Sequence, residues 1–130
     1  MDEVPKIKAL DWVGSSRKDL KAFPAEARSV MGFALYQAQL GLKAASARPL
    51  TGFGGASVLE IVEDFRTDTY RAVYTVRFAD VVYVLHAFQK KSKKGVATPK
   101  ADLDLIKRRL RAAEEDHKTR SGGARGTSDK

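Results

Sequence analysis

The apolar positions of this 130-residue chain change period along its length. Ala27, Val30, Met31, Ala34, Leu35 and Ala38 recur at i, i+3, i+4, i+7, i+8 and i+11, the spacing of one buried helix face. Phe33, Tyr36 and Leu40 form a second apolar row on the same helix, which predicts cover on two sides. Pro24 suits its first turn and Gly41 its end. Ahead of it, IKALDWV (residues 7–13) is rich in β-branched and aromatic residues and reads as a strand. Ser15 or Ser16 can cap a short helix over residues 17–23.

Residues 42–56, with Pro49, Gly52, Gly54 and Gly55, read as a loop. Strand candidates follow at 57–64, 69–78 and 81–89, with links short enough to imply antiparallel hairpins. Alternation in the middle strand puts Tyr70, Ala72, Tyr74, Val76 and Phe78 on one face, and Arg71, Val73, Thr75 and Arg77 on the other. Residues 90–97 are a basic, glycine-containing loop. Thr98, Pro99 and Asp102 then open a last helix with an apolar stripe of Leu103, Ile106, Leu110 and Ala113. Its other positions include Lys107, Arg108, Arg109 and Arg111, which form a basic face. The element order is β-α-α-β-β-β-α. One domain is expected over residues 1–118, and the apolar-poor segment 119–130 is expected to be a disordered tail.

Charge alters this picture. The chain carries a net +8, and residues 1–85 hold 11 Lys/Arg against 10 Asp/Glu while residues 86–130 hold 13 against 6. Positive charge gathered in the final third favours a polyanionic partner. There is no cysteine, which excludes disulfides, thiolate metal sites and cysteine nucleophiles. No apolar run approaches the roughly 20 residues that span a bilayer, and the start MDEVPKIKAL lacks a signal-like apolar core. The expected location is cytoplasmic.

Enzyme signatures are mostly missing. The histidines are His86 and His117, with no HExxH, paired-carboxylate or EF-hand spacing, so no metal site is expected. No GxSxG elbow, Walker loop or dinucleotide fingerprint occurs, and no small-molecule cofactor is expected. Arginine and lysine remain, a set that suits a phosphodiester: cations hold the backbone and offset charge developing on the phosphoryl oxygens. With RNA as substrate, the 2′-hydroxyl can act as nucleophile, so neither a protein nucleophile nor a metal is needed.

The string LEIVEDFRTDTYRAVYTVRFADVVYVLHAFQKKSKKGVATPKADLDLIKRRL resembles the RelE/ParE toxin superfamily, and more narrowly its HigB-like, phage-derived branch. The LEI strand, the YRAVY strand with its arginine, the LHAFQKK strand end and the TP-initiated helix carry the resemblance, over about residues 57–112. The segment GVA before Thr98 departs from the pattern by lengthening that loop. The resemblance implies an α+β, RelE-like microbial RNase fold, with an antiparallel sheet and two helices packed on one face. It implies a type II toxin that enters the ribosomal A site and cuts messenger RNA without a metal, thereby inhibiting translation. The implied partner is a cognate helix-turn-helix antitoxin. Some relatives poison gyrase, so a non-catalytic inhibitor or RNA-binding protein of the same fold is the alternative.

On this reading Arg71, Lys90, Lys91 and His86 form the candidate catalytic set, and Arg66, Lys93, Lys94 and Arg77 the candidate RNA- and ribosome-binding set. Each has a purely structural counterpart. Arg71 could instead pair across strands with Glu60 or Glu63, and the lysines could be a solvated strand edge. His86 could be an acid or base near neutral pH, or a buried histidine with one satisfied hydrogen bond. Tyr70 and Tyr74 are expected in the core.

Overall fold

The structure is a computed structural model that describes residues 6–90 and 97–127, with side chains described as far as residue 120. Its elements are β1 (Ala9–Trp12), α1 (Ser16–Lys21), α2 (Ala25–Gln39), β2 (Ala47–Pro49), β3 (Val58–Phe65), β4 (Asp68–Thr75), β5 (Val81–Lys90) and α3 (Lys100–Thr127). The strands form one sheet in the order β1-β5-β4-β3-β2. The tight links make β3–β4 and β4–β5 antiparallel, as expected. Two features depart from expectation. The sheet is mixed, because β1 lies parallel to β5 with Ala9 opposite Val81. A short fifth strand, β2, pairs with β3 inside the expected loop.

Apolar faces account for the layering. Ala27, Met31, Ala34, Leu35 and Ala38 of α2 pack with Leu20 and Phe23 onto Leu59, Ile61, Tyr70, Ala72, Tyr74, Val82 and Val84. Two helices therefore cover one face. The α3 stripe of Ile106, Leu110 and Ala113 packs onto Val58, Val73, Tyr83 and Leu85 on the other face. Phe78 joins this second cluster, not the Tyr70–Tyr74 face, because β4 ends at Thr75 and its alternation stops there. The second row of α2 is not covered: Phe33 is 63% and Tyr36 47% exposed.

Local chemistry sets the element ends. Ser16 lies inside α1 and donates to the Val84 carbonyl (3.0 Å), which ties α1 to β5. Pro24 stands at the N-cap of α2. Gly41, at φ +84°, closes α2, with Leu42 N–H on the Gln37 carbonyl (2.8 Å) and Gly41 N–H on Ala38 (2.9 Å). Helix α3 runs past residue 118, where a disordered tail was expected. Arg120, the last residue whose side chain is described, bonds Asp116 one turn back and Asp11 within β1.

A β-bulge interrupts β5. The register passes from Val73 opposite His86 to Tyr74 opposite Val84, leaving Leu85 as the extra residue. Leu85 faces α3, and His86 follows it to the same side, whereas Val84 and Ala87 face α1 and α2. Arg109 of α3 donates to the Leu85 carbonyl (3.0 Å) and to Ser15 Oγ (3.2 Å). Its guanidinium lies 2.8 Å from where a side chain on Gly14 would begin, and Gly14 has φ +58°. A side chain there would be strained by that backbone conformation and would have to displace the Arg109 guanidinium.

Candidate functional site

A groove of about 510 Å³ opens on the α3 side of the sheet, between β2, β3, β4 and the residues leading into α3. Its lining includes Arg48, Leu50, Glu60, Arg71, Thr98 and Leu103. Strand register explains why three charges meet there. Arg48 stands directly opposite Glu60 across β2–β3, and Glu60 opposite Val73 across β3–β4, so Arg71 lies diagonally from Glu60 on the same face.

Glu60 is the hub. Its Oε2 accepts from Arg48 Nε at 3.0 Å and its Oε1 from Arg71 Nη1 at 3.4 Å. Arg71 Nη1 also donates to Thr98 Oγ1 (3.3 Å), so the residue expected to cap α3 instead bonds the sheet. The side chains of Arg71 and Glu60 are almost out of solvent, at 3% and 6% exposure, whereas that of Arg48 is 62% exposed. Arg71 thus makes the cross-strand pair with Glu60 and also lines the groove. A buried carboxylate held between two guanidiniums is compensated, and the outer one remains open to an incoming anion.

His86 lies on the same face as Arg71, since Val73 faces His86 and Arg71 faces Phe88 in unbroken register across β4–β5. His86 is not among the groove-lining residues. Its Nε2 lies 2.7 Å from Asp102 Oδ1 in the first turn of α3, and its ring stacks on Phe88 at 4.7 Å between centroids. An ionised carboxylate only accepts, so Nε2 carries the proton and donates. Nδ1 is buried without a partner among the described residues. His86 therefore occupies an enclosed position under the start of α3.

The remaining candidates divide by location. Lys90 ends β5 opposite Thr69, two residues beyond Phe88 on the Arg71 side. Lys91, Lys93 and Lys94 lie outside the described residues. Arg66 occupies the β3–β4 turn at the same end of the sheet, in a left-handed conformation (φ 61°), its guanidinium 5.0 Å above the Phe65 ring. Arg77 is not brought to this end. It lies two residues beyond the end of β4, bound to Glu114 of α3 and to Ser57 Oγ. Tyr70 and Tyr74 are buried, as expected. Sequence patterning passed over Arg48, Glu60 as a groove residue, and Asp102 as the partner of His86. The one signal for Arg48 was a charged residue beside Ala47 and Pro49 in an otherwise glycine-rich loop.

Among the described residues no group of three or more His, Asp or Glu stands where it could hold a metal ion. No described helix is long and apolar enough to cross a membrane. What the groove offers chemically is an anion site: an exposed arginine at its lip, a buried arginine at its floor and a carboxylate between them.

Residues 18–111 match the family described as phage-derived protein Gp49-like. No curated protein matches the chain. Among solved structures, a mutant of the E. coli toxin RelE in the free state is similar, with TM-score 0.52 and 17% identity over 82% of this chain and 97% of that one. The RelBE2 toxin–antitoxin complex from Mycobacterium tuberculosis aligns with TM-score 0.44 and 15% identity, over 70% of this chain and 100% of that chain. The fold is accordingly that of RelE toxins.

Proposed function

The chain belongs to the phage-derived Gp49-like family, and from that premise we propose that it is the toxin of a toxin–antitoxin pair, a metal-independent endoribonuclease that cuts messenger RNA in the ribosomal A site. The observation that carries this reading is the Arg48–Glu60–Arg71 array in a groove on the sheet face where Lys90 opens the lysine-rich segment. Transesterification by the 2′-hydroxyl needs a proton acceptor, cations on the phosphoryl oxygens and a proton donor for the leaving 5′-oxygen. A phosphate approaching the groove meets Arg48 first, and drawing Arg48 away uncovers Glu60 Oε2 as an acceptor. Arg71 supplies fixed positive charge at the floor. The donor comes from Lys90, Lys91 or His86. Arg66, Lys93 and Lys94 hold flanking RNA or ribosomal RNA, with Arg77 the outlying member of that set. The protein acts in the cytoplasm, and a helix-turn-helix antitoxin neutralises it.

The test is induction of the protein alone, followed by mapping of messenger-RNA 5′ ends. New ends inside translated frames, reproduced on purified ribosomes programmed with a message, are the expected result. One observation favours a second reading: Arg71 is buried and ion-paired to Glu60, and His86 is buried and hydrogen-bonded to Asp102. That suits a non-catalytic protein of this fold, a gyrase inhibitor or an RNA binder. Intact messages together with supercoiling-arrested DNA would select it.

A further inference from the structure

The wall that the start of α3 gives the groove continues along the helix as a row of cations. Leu103 lines the groove, and Lys107 and Arg111 follow it at i+4 and i+8, in a row that winds slowly outwards. Glu114, seven residues beyond Lys107, leaves the helix on the same flank, where it binds Arg77. Lys118 lies one turn further. The other flank of α3 is turned to α1 and β1: there Arg109 donates to Ser15 Oγ, and Arg120 binds Asp11. One flank thus ties the helix down, and the flank that continues the groove is left open.

Two observations set this open flank apart from an ordinary solvated one. Its cations are uncommitted. Lys107, Arg111 and Lys118 are exposed, and none makes an ion pair or hydrogen bond among the described residues. The neighbouring carboxylates are engaged elsewhere, Asp104 by Lys100 and Glu114 by Arg77. Glu115 and Arg108 lie further round, on the outer side of the helix. The second observation is Arg77, whose guanidinium Ser57 and Glu114 fix beside this row while its side chain stays 35% exposed.

We infer that the open flank of α3 is a track for an unpaired RNA strand. The strand runs from the phosphate at Arg48 and Arg71 past Lys107, Arg111 and Arg77 to Lys118. The inference rests on the proposed function for the position of that phosphate, and it finds a place for Arg77, which the groove leaves out. From Leu103 to Lys118 the helix runs roughly 22 Å, room for several nucleotides of an extended strand. The cations lie in one line along a convex helix, which follows a single backbone better than the two of a duplex. Lysine and arginine meet phosphates without regard to the base, so the track adds hold on the message and no choice of sequence.

The test is fluorescence anisotropy with a labelled 2′-O-methyl RNA of about ten nucleotides, which has no free 2′-hydroxyl and is not cut. The double variant Lys107→Glu, Arg111→Glu should bind at least about tenfold more weakly at low salt. With alanine at both positions, the slope of log affinity against log salt should fall by about 1.4, at about 0.7 per phosphate. A control carries Arg17→Glu and Lys18→Glu, an equal change of charge on exposed residues of α1. It should bind like the parent, and Tm should be unchanged in every variant. Equal weakening by the control would reduce the track to the general attraction of a basic protein and overturn the inference. So would unchanged affinity in the α3 variants, or tighter binding of a hairpin duplex or a glutamate-rich peptide than of the unpaired strand. Binding along the track by a protein that cuts no message would remove the nuclease reading and leave the track. Cleavage by the parent, with α3 variants that bind like it, would remove the track alone.

Discussion

Arg71 and Glu60 meet diagonally across β3 and β4 at 3.4 Å, both nearly excluded from water, in the floor of a groove. The pair joins folding to chemistry. From sequence alone, Arg71→Ala is expected to spare the fold, but its burial changes that expectation. Removal leaves Glu60 against Arg48 only and should cost about 3 kcal/mol in urea unfolding. Cleavage by the folded fraction should fall about 10²–10³-fold, with little recovery in Arg71→Lys, which loses the planar fork. Wild-type cleavage by folded Arg71→Ala protein would leave Arg71 a structural role alone.

Arg48 separates binding from stability. Its side chain is largely exposed and held by one carboxylate, so Arg48→Ala should cost less than about 1 kcal/mol of stability. RNA binding should weaken, and the slope of log affinity against log salt should fall by about one. An unchanged slope would remove Arg48 from the RNA contact.

His86 and Asp102 tie β5 to the start of α3 at 2.7 Å. His86→Gln keeps polarity but cannot shuttle a proton. Stability should drop by about 1–2 kcal/mol, Asp102→Asn should behave alike, and the double variant should lose less than the sum. Cleavage should stay within about tenfold of the parent. A loss of about 10²–10⁴ with unchanged Tm would instead make His86 a catalytic acid or base.

The pH dependence should carry the mark of Tyr83 and Asp116. Burial, and then the 2.7 Å hydrogen bond to Asp116, raise the Tyr83 pKa above its ordinary 10.0. That contribution to stability is fully present below pH 10.0 and is lost as pH rises through the folded-state value. The same hydrogen bond lowers the Asp116 pKa below 3.8, so its contribution is present above that value and lost as pH falls further. Solvent exposure keeps the acid-side effect small. Tyr83→Phe should cost about 1 kcal/mol at neutral pH and flatten the alkaline decline, read as Tm against pH.

What could be read from the sequence was what is local. The α2 stripe, the hairpin strands and the start of α3 follow from spacing and turn residues a few positions apart. Three features do not. Strand β2 has three residues, one of them Pro49, and pairs only because β3 passes beside it. That Val84 and His86 face opposite sides depends on the extra Leu85, which continuous alternation through β5 does not reveal. The choice between Glu60 and Glu63 as partner of Arg71 depends on register: Glu63 stands opposite Tyr70, and Glu60 opposite Val73. Arg48 and Asp102 entered the site by pairings with residues 12 and 16 positions away.

The parallel pairing of β1 with β5 also constrains the order of assembly. Ala9 meets Val81, so β1 cannot dock until a long intervening stretch of chain has been ordered. Closing so long a loop is entropically costly, whereas β3, β4 and β5 need only tight turns to pair. The β3–β4–β5 meander is therefore the earliest stable nucleus, and β1 is a late addition. A conservative change in Val73 or Leu85 should slow refolding, while one in Leu10 should chiefly speed unfolding.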